Sequence, residues 1–468
     1  MVKPSLYDTI CAIATPPGEG GIAVIRISGQ DSFNVINKIF FRNNKRIDSH
    51  SISSDDANKI IYGFIFDNEI LIDEVLISVF KSPNSFTGED IIEISCHGGF
   101  FIANKIITLL NKLNIRIAEP GEFSKRAFLN GKIDLSQAEA IADLITSKTD
   151  ASHNASLAQL EGSLSQYVKS VREDIIKITS LVELELDFAE EDVEFVNKNE
   201  VKQKISTVIS ELIRIINSYI KGKIIKNGVN LVIAGKPNSG KSSLFNLFLN
   251  SDRAIVSNVA GTTRDFIEEN LLINGVLFKL TDTAGIRLSD DQIETEGIKR
   301  SLERIKNADL VLYLMDSSAP DKDLMDSLNY FENYLDKNKT IPVFSKSDLK
   351  KNNSSIEINS YKNNYLKISI NDNKSIEKLK SEMINKLNLS SISSQSGELI
   401  ITNLRHKLCL ENTVKELESA IHSIENNMSG EYISLDLRNA LNKLAEITGE
   451  FTNDDILNSI FLNFCIGK

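Results

Sequence analysis

The chain has 468 residues, enough for two or three domains, and 41% of them are apolar, enough to build real cores. A formal net charge of −11 argues against a general nucleic-acid binder, which would carry a basic stripe, so any RNA contact must be local or shared with a partner. Four cysteines (Cys11, Cys96, Cys409, Cys465) and five histidines at no metal-ligand spacing suggest neither a disulfide framework nor a zinc site.

Met1–Ser5 carries no apolar leader, and no run of about 18 apolar residues occurs, so a soluble, cytoplasmic protein without a membrane partner is expected. Up to about Pro120, short β-rich runs (Ala23–Ile27, Val75–Phe80, Ile91–Ser95) alternate with turn signals such as Pro16-Pro17-Gly18 and His97-Gly98-Gly99. That pattern reads as an α+β domain. From Asp134 the period becomes helical: Leu135, Ala138, Ile141, Ala142 and Ile145 share one face, and Asp134 with Gln137 resembles a capping box. Helical patterning runs through Leu157–Leu186, pauses in the acidic Ala189–Glu194 and resumes to about Ile220.

The apolar run Val229–Ala234 then leads into Gly235-Lys236-Pro237-Asn238-Ser239-Gly240-Lys241-Ser242, followed by the helix-like Ser243–Asn250. A strand, a G-x-x-x-x-G-K-S loop and a helix make a phosphate cradle. The glycines turn backbone N–H groups inward, Lys241 reaches the β/γ-phosphates, the Ser242 hydroxyl can ligate Mg²⁺, and the helix N-terminus adds positive potential. Asp282-Thr283-Ala284-Gly285 follows the strand-like Val276–Leu280 and suits Mg²⁺ and γ-phosphate sensing. Ser345-Lys346-Ser347-Asp348 follows Ile341–Phe344, where the Asp348 carboxylate can accept from the N1–H and N2–H₂ edge of guanine, an edge adenine lacks. GTPases of this pattern begin that element with Asn. Ser345 is therefore expected to loosen the tie between base site and phosphate loop and to weaken nucleotide affinity. Ser369-Ile370 sits where a further loop can cap the guanine O6 through backbone N–H.

Ile286, just after Gly285, occupies the place where Ras-like enzymes put a glutamine to orient the attacking water, and it has no polar atom. Glu294, in the acidic stretch 290–297, is the carboxylate best placed to do that work. No arginine finger is visible in cis; Asn238 with the backbone around Ser257–Thr262 can hold a monovalent cation instead. A Ser-rich stretch, Ser390–Gly397, closes this segment, and helical pattern returns from Ile400 to Leu462. Two helical halves thus flank an α/β unit, as an inserted domain would produce.

Further strings carry a family resemblance: Ala14-Thr15-Pro16-Pro17-Gly18, Arg26-Ile27-Ser28-Gly29, Asn84–Asp90, Pro120–Asn130, Gly261-Thr262-Thr263-Arg264-Asp265 and the terminal Cys465-Ile466-Gly467-Lys468. With them the chain resembles, from its first strand to its last residue, the MnmE (TrmE) family of bacterial tRNA-modification GTPases. The resemblance implies a multidomain protein. Residues 1–119 would form an α+β domain that binds tetrahydrofolate and dimerises, 120–221 the first half of an all-α domain, 222–388 an inserted α/β Ras-like P-loop G domain, and 389–468 the second helical half. It implies a homodimer that works with the flavoprotein MnmG (GidA), in a heterotetramer or larger complex. Together they would place an aminomethyl or carboxymethylaminomethyl group on C5 of the wobble uridine of certain tRNAs, with FAD on the partner and the one-carbon unit from 5-formyl- or 5,10-methylene-tetrahydrofolate.

By the same resemblance the GTP contacts are Asn238, Ser239, Gly240, Lys241, Ser242 and Ser243; Ser257, Asn258, Val259, Ala260, Gly261, Thr262 and Thr263; Asp282, Thr283, Ala284 and Gly285; and Lys346 and Asp348. Ser242 and Thr263 would hold Mg²⁺. Asn238, Ser257, Val259 and Thr262 would hold K⁺, Ser257 departing from the threonine of a family member, and K⁺ would take the arginine finger's part. Glu294 would position the water beside the catalytic Lys241, and Arg26, Glu93, Lys132 and Lys468 would meet the folate. Cys465 resembles a cysteine that the family places near its modification site. Two other readings compete. One is a ribosome-assembly GTPase of the Era or Der type, although the segment after Ile400 is acidic and lacks a G-x-x-G clamp. The other is a folate-binding scaffold with a decayed GTPase.

Overall fold

The computed structural model describes residues 8–44, 51–187, 198–252, 268–281, 303–349, 365–389, 399–451, 454–462, 464 and 467. The chain divides into two compact units: residues 1–142, 159–208 and 412–468 form one, and residues 143–158 and 209–411 the other.

The first unit contains a seven-stranded sheet built from β1 (Ile10–Ile13), β2 (Ile22–Ser28), β3 (Phe40–Phe41), β4 (Ile60–Asp67), β5 (Ile70–Phe80), β6 (Ile91–His97) and β7 (Arg116–Ile117). Their order is β3-β4-β5-β6-β2-β1-β7, antiparallel except for the β1–β7 pair. The expected strands are all present and longer than their β-rich runs. Strand alternation decides which residues face the core. Ile25 and Ile27 of β2 and Ile92 and Ile94 of β6 are buried with Val35 and Ile36 of the helix Ser32–Ile39 and with Ile106 and Leu110 of the helix Phe100–Lys112. Arg26 and Glu93, directly opposite each other in the β2–β6 register, therefore point to the other face. Near β1 that face is partly covered by a small cluster of Ile10, Ala12, Ala118 and Phe123, against which Phe86 packs.

Helices complete this unit. Asp134 accepts from the Gln137 amide (2.9 Å) and Gln137 Oε1 accepts from the Asp134 amide (3.0 Å), so the expected capping box opens the helix Leu135–Thr146. The burial of that helix departs from the simple stripe. Leu135 and Ala138 pack with Leu457, Phe461 and Phe464, and Ser136, Glu139 and Ala140 are buried too, but Ile145 in the last turn is 48% exposed. Only the first two turns are enclosed, which a periodicity count cannot show. The helix Ser163–Asp187 lies along Gly430–Thr448, where Glu183 accepts from Arg438 (2.6 Å) and Ser434 (3.0 Å). The residues before helix Lys198–Asn217, including Ala189–Glu194, and the Ser-rich 390–397 lie outside the described residues.

The second unit contains a six-stranded sheet of β8 (Val229–Gly235), β9 (Glu268–Ile273), β10 (Val276–Thr281), β11 (Leu310–Asp316), β12 (Thr340–Ser345) and β13 (Leu366–Lys367), ordered β13-β12-β11-β8-β10-β9. All neighbours are parallel except the β9–β10 pair. Leu231–Ala234 of β8 and Leu310–Met315 of β11 are buried on both faces, as parallel strands covered by helices must be, and so read as continuous apolar runs, with the exposed Asn230 at the start of β8. The helix Lys241–Asp252, the helix Asp321–Tyr334 and the helix Asn373–Lys386 supply the covering layers.

Candidate functional site

β8 lies between β10 and β11, which continue the chain on opposite sides of it, so its carboxyl end is the topological switch point where open α/β sheets bind ligands. The phosphate loop starts there. Gly235 has φ +146°, Asn238 +63° and Gly240 +92°. A methyl group on Gly235 would sit 2.3 Å from the Leu314 carbonyl oxygen and 2.8 Å from Ser239 Oγ, so only glycine fits. The Lys241 ammonium folds back over the loop and donates to the Gly235 (2.9 Å) and Lys236 (2.8 Å) carbonyls. Asn238 in the loop and Ser242 and Ser243 at the helix start are exposed. A glycine cradle, a lysine held across it and outward hydroxyls fit a nucleotide's phosphates and a Mg²⁺ ion.

Beside the loop lies a cavity of about 230 Å³, lined by Gly240, Ser243, Leu244, Ser345, Lys346, Asp348, Leu349, Ile370 and Asn371 among others. The Asp348 carboxyl is held below the usual aspartate range by hydrogen bonds from the Ser369 side chain, from its own backbone amide and from Asn371, against a small opposing effect of burial. It is thus ionised and acceptor-only at neutral pH, as reading a guanine edge requires. Lys346, at φ +54°, ion-pairs with Asp316 at 2.6 Å. Burial pushes the Asp316 carboxyl up, and hydrogen bonds from Lys346 and Ser318 outweigh it, so the net shift is downward.

Ser345 keeps one tie between the two loops: its buried hydroxyl donates to the Ser239 carbonyl at 2.7 Å. One expectation needs correction here. The Ser369 amide is not available to cap a base oxygen, because it donates to Ser375 Oγ at 3.1 Å, and an ST turn from the Asn371 amide to Ser369 Oγ (3.2 Å) closes the loop on itself. Ile370 and Asn371 line the cavity instead.

In the first unit, Arg26 Nε donates to Glu93 at 2.8 Å, and its guanidinium lies 5.4 Å from the Phe86 ring centre and 5.6 Å from that of Phe123. Its Nη1 reaches the Gly467 carbonyl at 3.5 Å. Gly467, at φ +93°, touches the end of β1 so closely that a methyl group would meet the Ile13 carbonyl at 2.3 Å. Residues distant in sequence thus converge: Arg26 from β2, Glu93 from β6, Phe86 from a loop and Gly467 from the terminal segment. Lys132 packs on the same loop, its ammonium on the Pro83 carbonyl (2.9 Å) and its stem against Gly88. The loop itself is fastened by Ser28 Oγ to Thr87 (2.8 Å) and Glu89 (2.6 Å), and by buried Arg126, which also binds Asp8 and Glu122.

Ser257, Asn258, Val259, Ala260, Gly261, Thr262, Thr263, Asp282, Thr283, Ala284, Gly285, Ile286, Glu294, Cys465 and Lys468 lie outside the described residues. The sequence reading missed Phe86, Phe123, Asp316 and Ser317. Nothing in a single chain marks an aromatic as a cation's neighbour, and β11 carries no motif besides its apolar run. No helix among the described residues is long and apolar enough to cross a membrane, and no cluster of three or more His, Cys, Asp or Glu side chains suited to a metal ion occurs among them.

The parallel sheet, the glycine loop at its switch point and the carboxylate-lined cavity beside it define a P-loop GTPase domain inserted among helices. The family described as MnmE helical domain matches residues 135–465, and the family described as GTP-binding protein TrmE N-terminus matches residues 9–132. Among curated proteins, the tRNA modification GTPase MnmE of Flavobacterium johnsoniae is 42% identical over 98% of this chain and 99% of its own length. Those of Christiangramia forsetii (41%, 99% and 100%) and Clostridioides difficile (42%, 98% and 99%) are similar. The chain belongs to the MnmE family of tRNA modification GTPases. A match of that extent leaves no room for a ribosome-assembly GTPase of the Era or Der type.

Proposed function

We propose that this chain is a K⁺-dependent GTPase of the cytoplasm. As a homodimer in complex with the flavoprotein MnmG (GidA), it would help place an aminomethyl or carboxymethylaminomethyl group on C5 of the wobble uridine of certain tRNAs. The observation that carries the reading is the phosphate loop of Asn238–Ser243 standing beside the Asp348 cavity at the end of β8. Residues 1–119, 120–221, 222–388 and 389–468 are the proposed folate-binding, helical, G and helical segments.

In this reading Ser242 and Thr263 hold Mg²⁺, while Asn238, Ser257, Val259 and Thr262 hold K⁺. When bound, the two cations supply positive charge where the γ-phosphoryl group leaves. Lys241 steers the β/γ-phosphates, and Glu294 accepts a hydrogen bond from the attacking water, the task Ile286 cannot perform. In the first unit, Arg26, Lys132 and Lys468 meet the carboxylated tail of a tetrahydrofolate, and Glu93 accepts from the N–H edge of its pterin. The folate supplies the one-carbon unit, and FAD resides on the partner. The Arg26–Glu93 pair supports this reading: it is half-buried and lies within reach of two aromatic rings, so a flat, charged ligand can compete for both of its members.

The test is phosphate release from GTP by the full chain in K⁺ and in Na⁺, alongside Glu294→Ala. Turnover several-fold faster in K⁺, with Glu294→Ala inactive yet still binding GTP, is expected. Equal rates in the two salts would remove the cation from the mechanism. Mass spectrometry of wobble-uridine nucleosides from cells lacking the protein tests the RNA side, where loss of the C5 group is expected.

A further inference from the structure

We infer that Ser317 and Ser345 form a relay that orients the Gly240 amide of the phosphate loop, and that both are positioning residues for nucleotide retention. This rests on the reading that a guanine nucleotide occupies the phosphate loop and the Asp348 cavity. Ser345 ends β12 and pairs with Asp316 at the end of β11. Its hydroxyl has two carbonyl acceptors, Ser239 at 2.7 Å and Met315 at 3.2 Å. A hydroxyl owns one proton, so it serves the nearer acceptor, whereas an asparagine amide at this position would bring two. A second restraint comes from Ser317, whose backbone N–H (3.1 Å) and hydroxyl (2.6 Å) both donate to the Ser345 carbonyl. Ser317 thus clamps the residue that the shorter side chain would otherwise leave loose.

The consequence reaches the phosphates through one rigid peptide plane. In a trans peptide the C=O and the following N–H point in opposite directions. Fixing the Ser239 carbonyl on Ser345 therefore turns the Gly240 N–H away from Ser345, to the side where an anion is cradled. Gly240 is adjacent, since a methyl group on it would stand 3.8 Å from Ser345 Oγ. Ser239, Ser317 and Ser345 are 2%, 9% and 4% exposed, so water cannot replace a lost bond. The chain's departure from asparagine is in this way compensated from the neighbouring strand.

The experiment measures dissociation of a fluorescent GDP analogue from the full chain by stopped flow. Threonine and valine have the same shape and differ by the hydroxyl alone, so Ser317→Thr is compared with Ser317→Val, and Ser345→Thr with Ser345→Val. Each valine variant should release GDP about fivefold faster than its threonine counterpart, the worth of one buried hydrogen bond. Because the two serines act in series, the double valine variant should be no more than about twofold faster than the faster single one, whereas independent structural effects would multiply. Equal rates for threonine and valine, or multiplied effects in the double variant, overturn the relay. A wild-type chain that fails to hold the GDP analogue at all overturns instead the nucleotide reading on which the relay rests.

Discussion

The sheets of the two units offer their candidate ligands opposite kinds of site. The parallel sheet presents the end of a strand, and its phosphate loop is made mostly of backbone: three residues of positive φ within six positions, and amides that follow from that shape. The antiparallel sheet presents a face, and its site is made of side chains that the β2–β6 register sets opposite one another, with Arg26 on Glu93 at 2.8 Å. A backbone site depends first on steric room at a few atoms, because the loop's shape is what aims its amides and Lys241 at an anion. A side-chain site depends on charge balance and tolerates changes of shape.

That contrast can be broken most sharply with one methyl group. Gly235→Ala forces φ +146° on a residue with a Cβ and drives the methyl to 2.3 Å from the Leu314 carbonyl. Strain of that kind costs about 1–3 kcal/mol, and displacing the loop's amides costs more, so GTP affinity should fall on the order of 100-fold or further. The measurement is titration with a fluorescent GTP analogue, with binding of 5-formyltetrahydrofolate by the same sample as the control. Unchanged GTP binding would show that the loop's shape is not what holds the phosphates.

The next largest effect should come from charge. Arg26→Ala removes a cation and leaves Glu93 facing an anionic ligand, so 5-formyltetrahydrofolate binding should weaken about tenfold to a hundredfold, the range for a charged hydrogen bond. GTP hydrolysis by the same variant should stay within about twofold of wild type. Calorimetry of folate binding reads the first and phosphate release the second. Equal loss of both would mean that Arg26 supports the fold rather than a ligand.

The same contrast explains what a reader of the chain can see. The phosphate loop was legible because backbone sites need fixed spacing within one short segment, and Gly235, Gly240 and Lys241 declare it. Asp348 was legible for the same reason, following a predicted strand. The pairing of Arg26 with Glu93 is a matter of register between strands 67 positions apart, and composition does not reveal it. Only the resemblance to a family pointed there, and although Phe86 and Phe123 stand within its strings, it gave neither of them a place beside the cation. Ser345 shows the opposite failure. Its departure from asparagine was visible, but the hydroxyl that restores the bond to Ser239, and Ser317 behind it, became visible only once β11 and β12 were paired.

The smallest effect expected is electrostatic, at the far end of the same sheet face. His97 closes β6 with Nδ1 on Asp73 Oδ1 at 2.7 Å, while its backbone N–H donates to Asp73 Oδ2 at 2.8 Å. The hydrogen bond and charge of Asp73, with a lesser contribution from Glu74, raise the imidazole pKa above its ordinary value, and slight desolvation opposes them. A raised folded-state pKa means that this pair's stabilisation is fully present below the unfolded histidine pKa, about 6.5, and fades as pH rises through the folded value. Titration followed by NMR should place His97 above that ordinary value in the wild type and lower in Asp73→Asn, which keeps the shape of the side chain and removes its charge. The ring is exposed, so salt should shrink the difference between the two proteins. A His97 pKa that is the same in both would mean that the backbone bond alone holds Asp73 in place, and that charge on this face matters only where Arg26 and Glu93 meet.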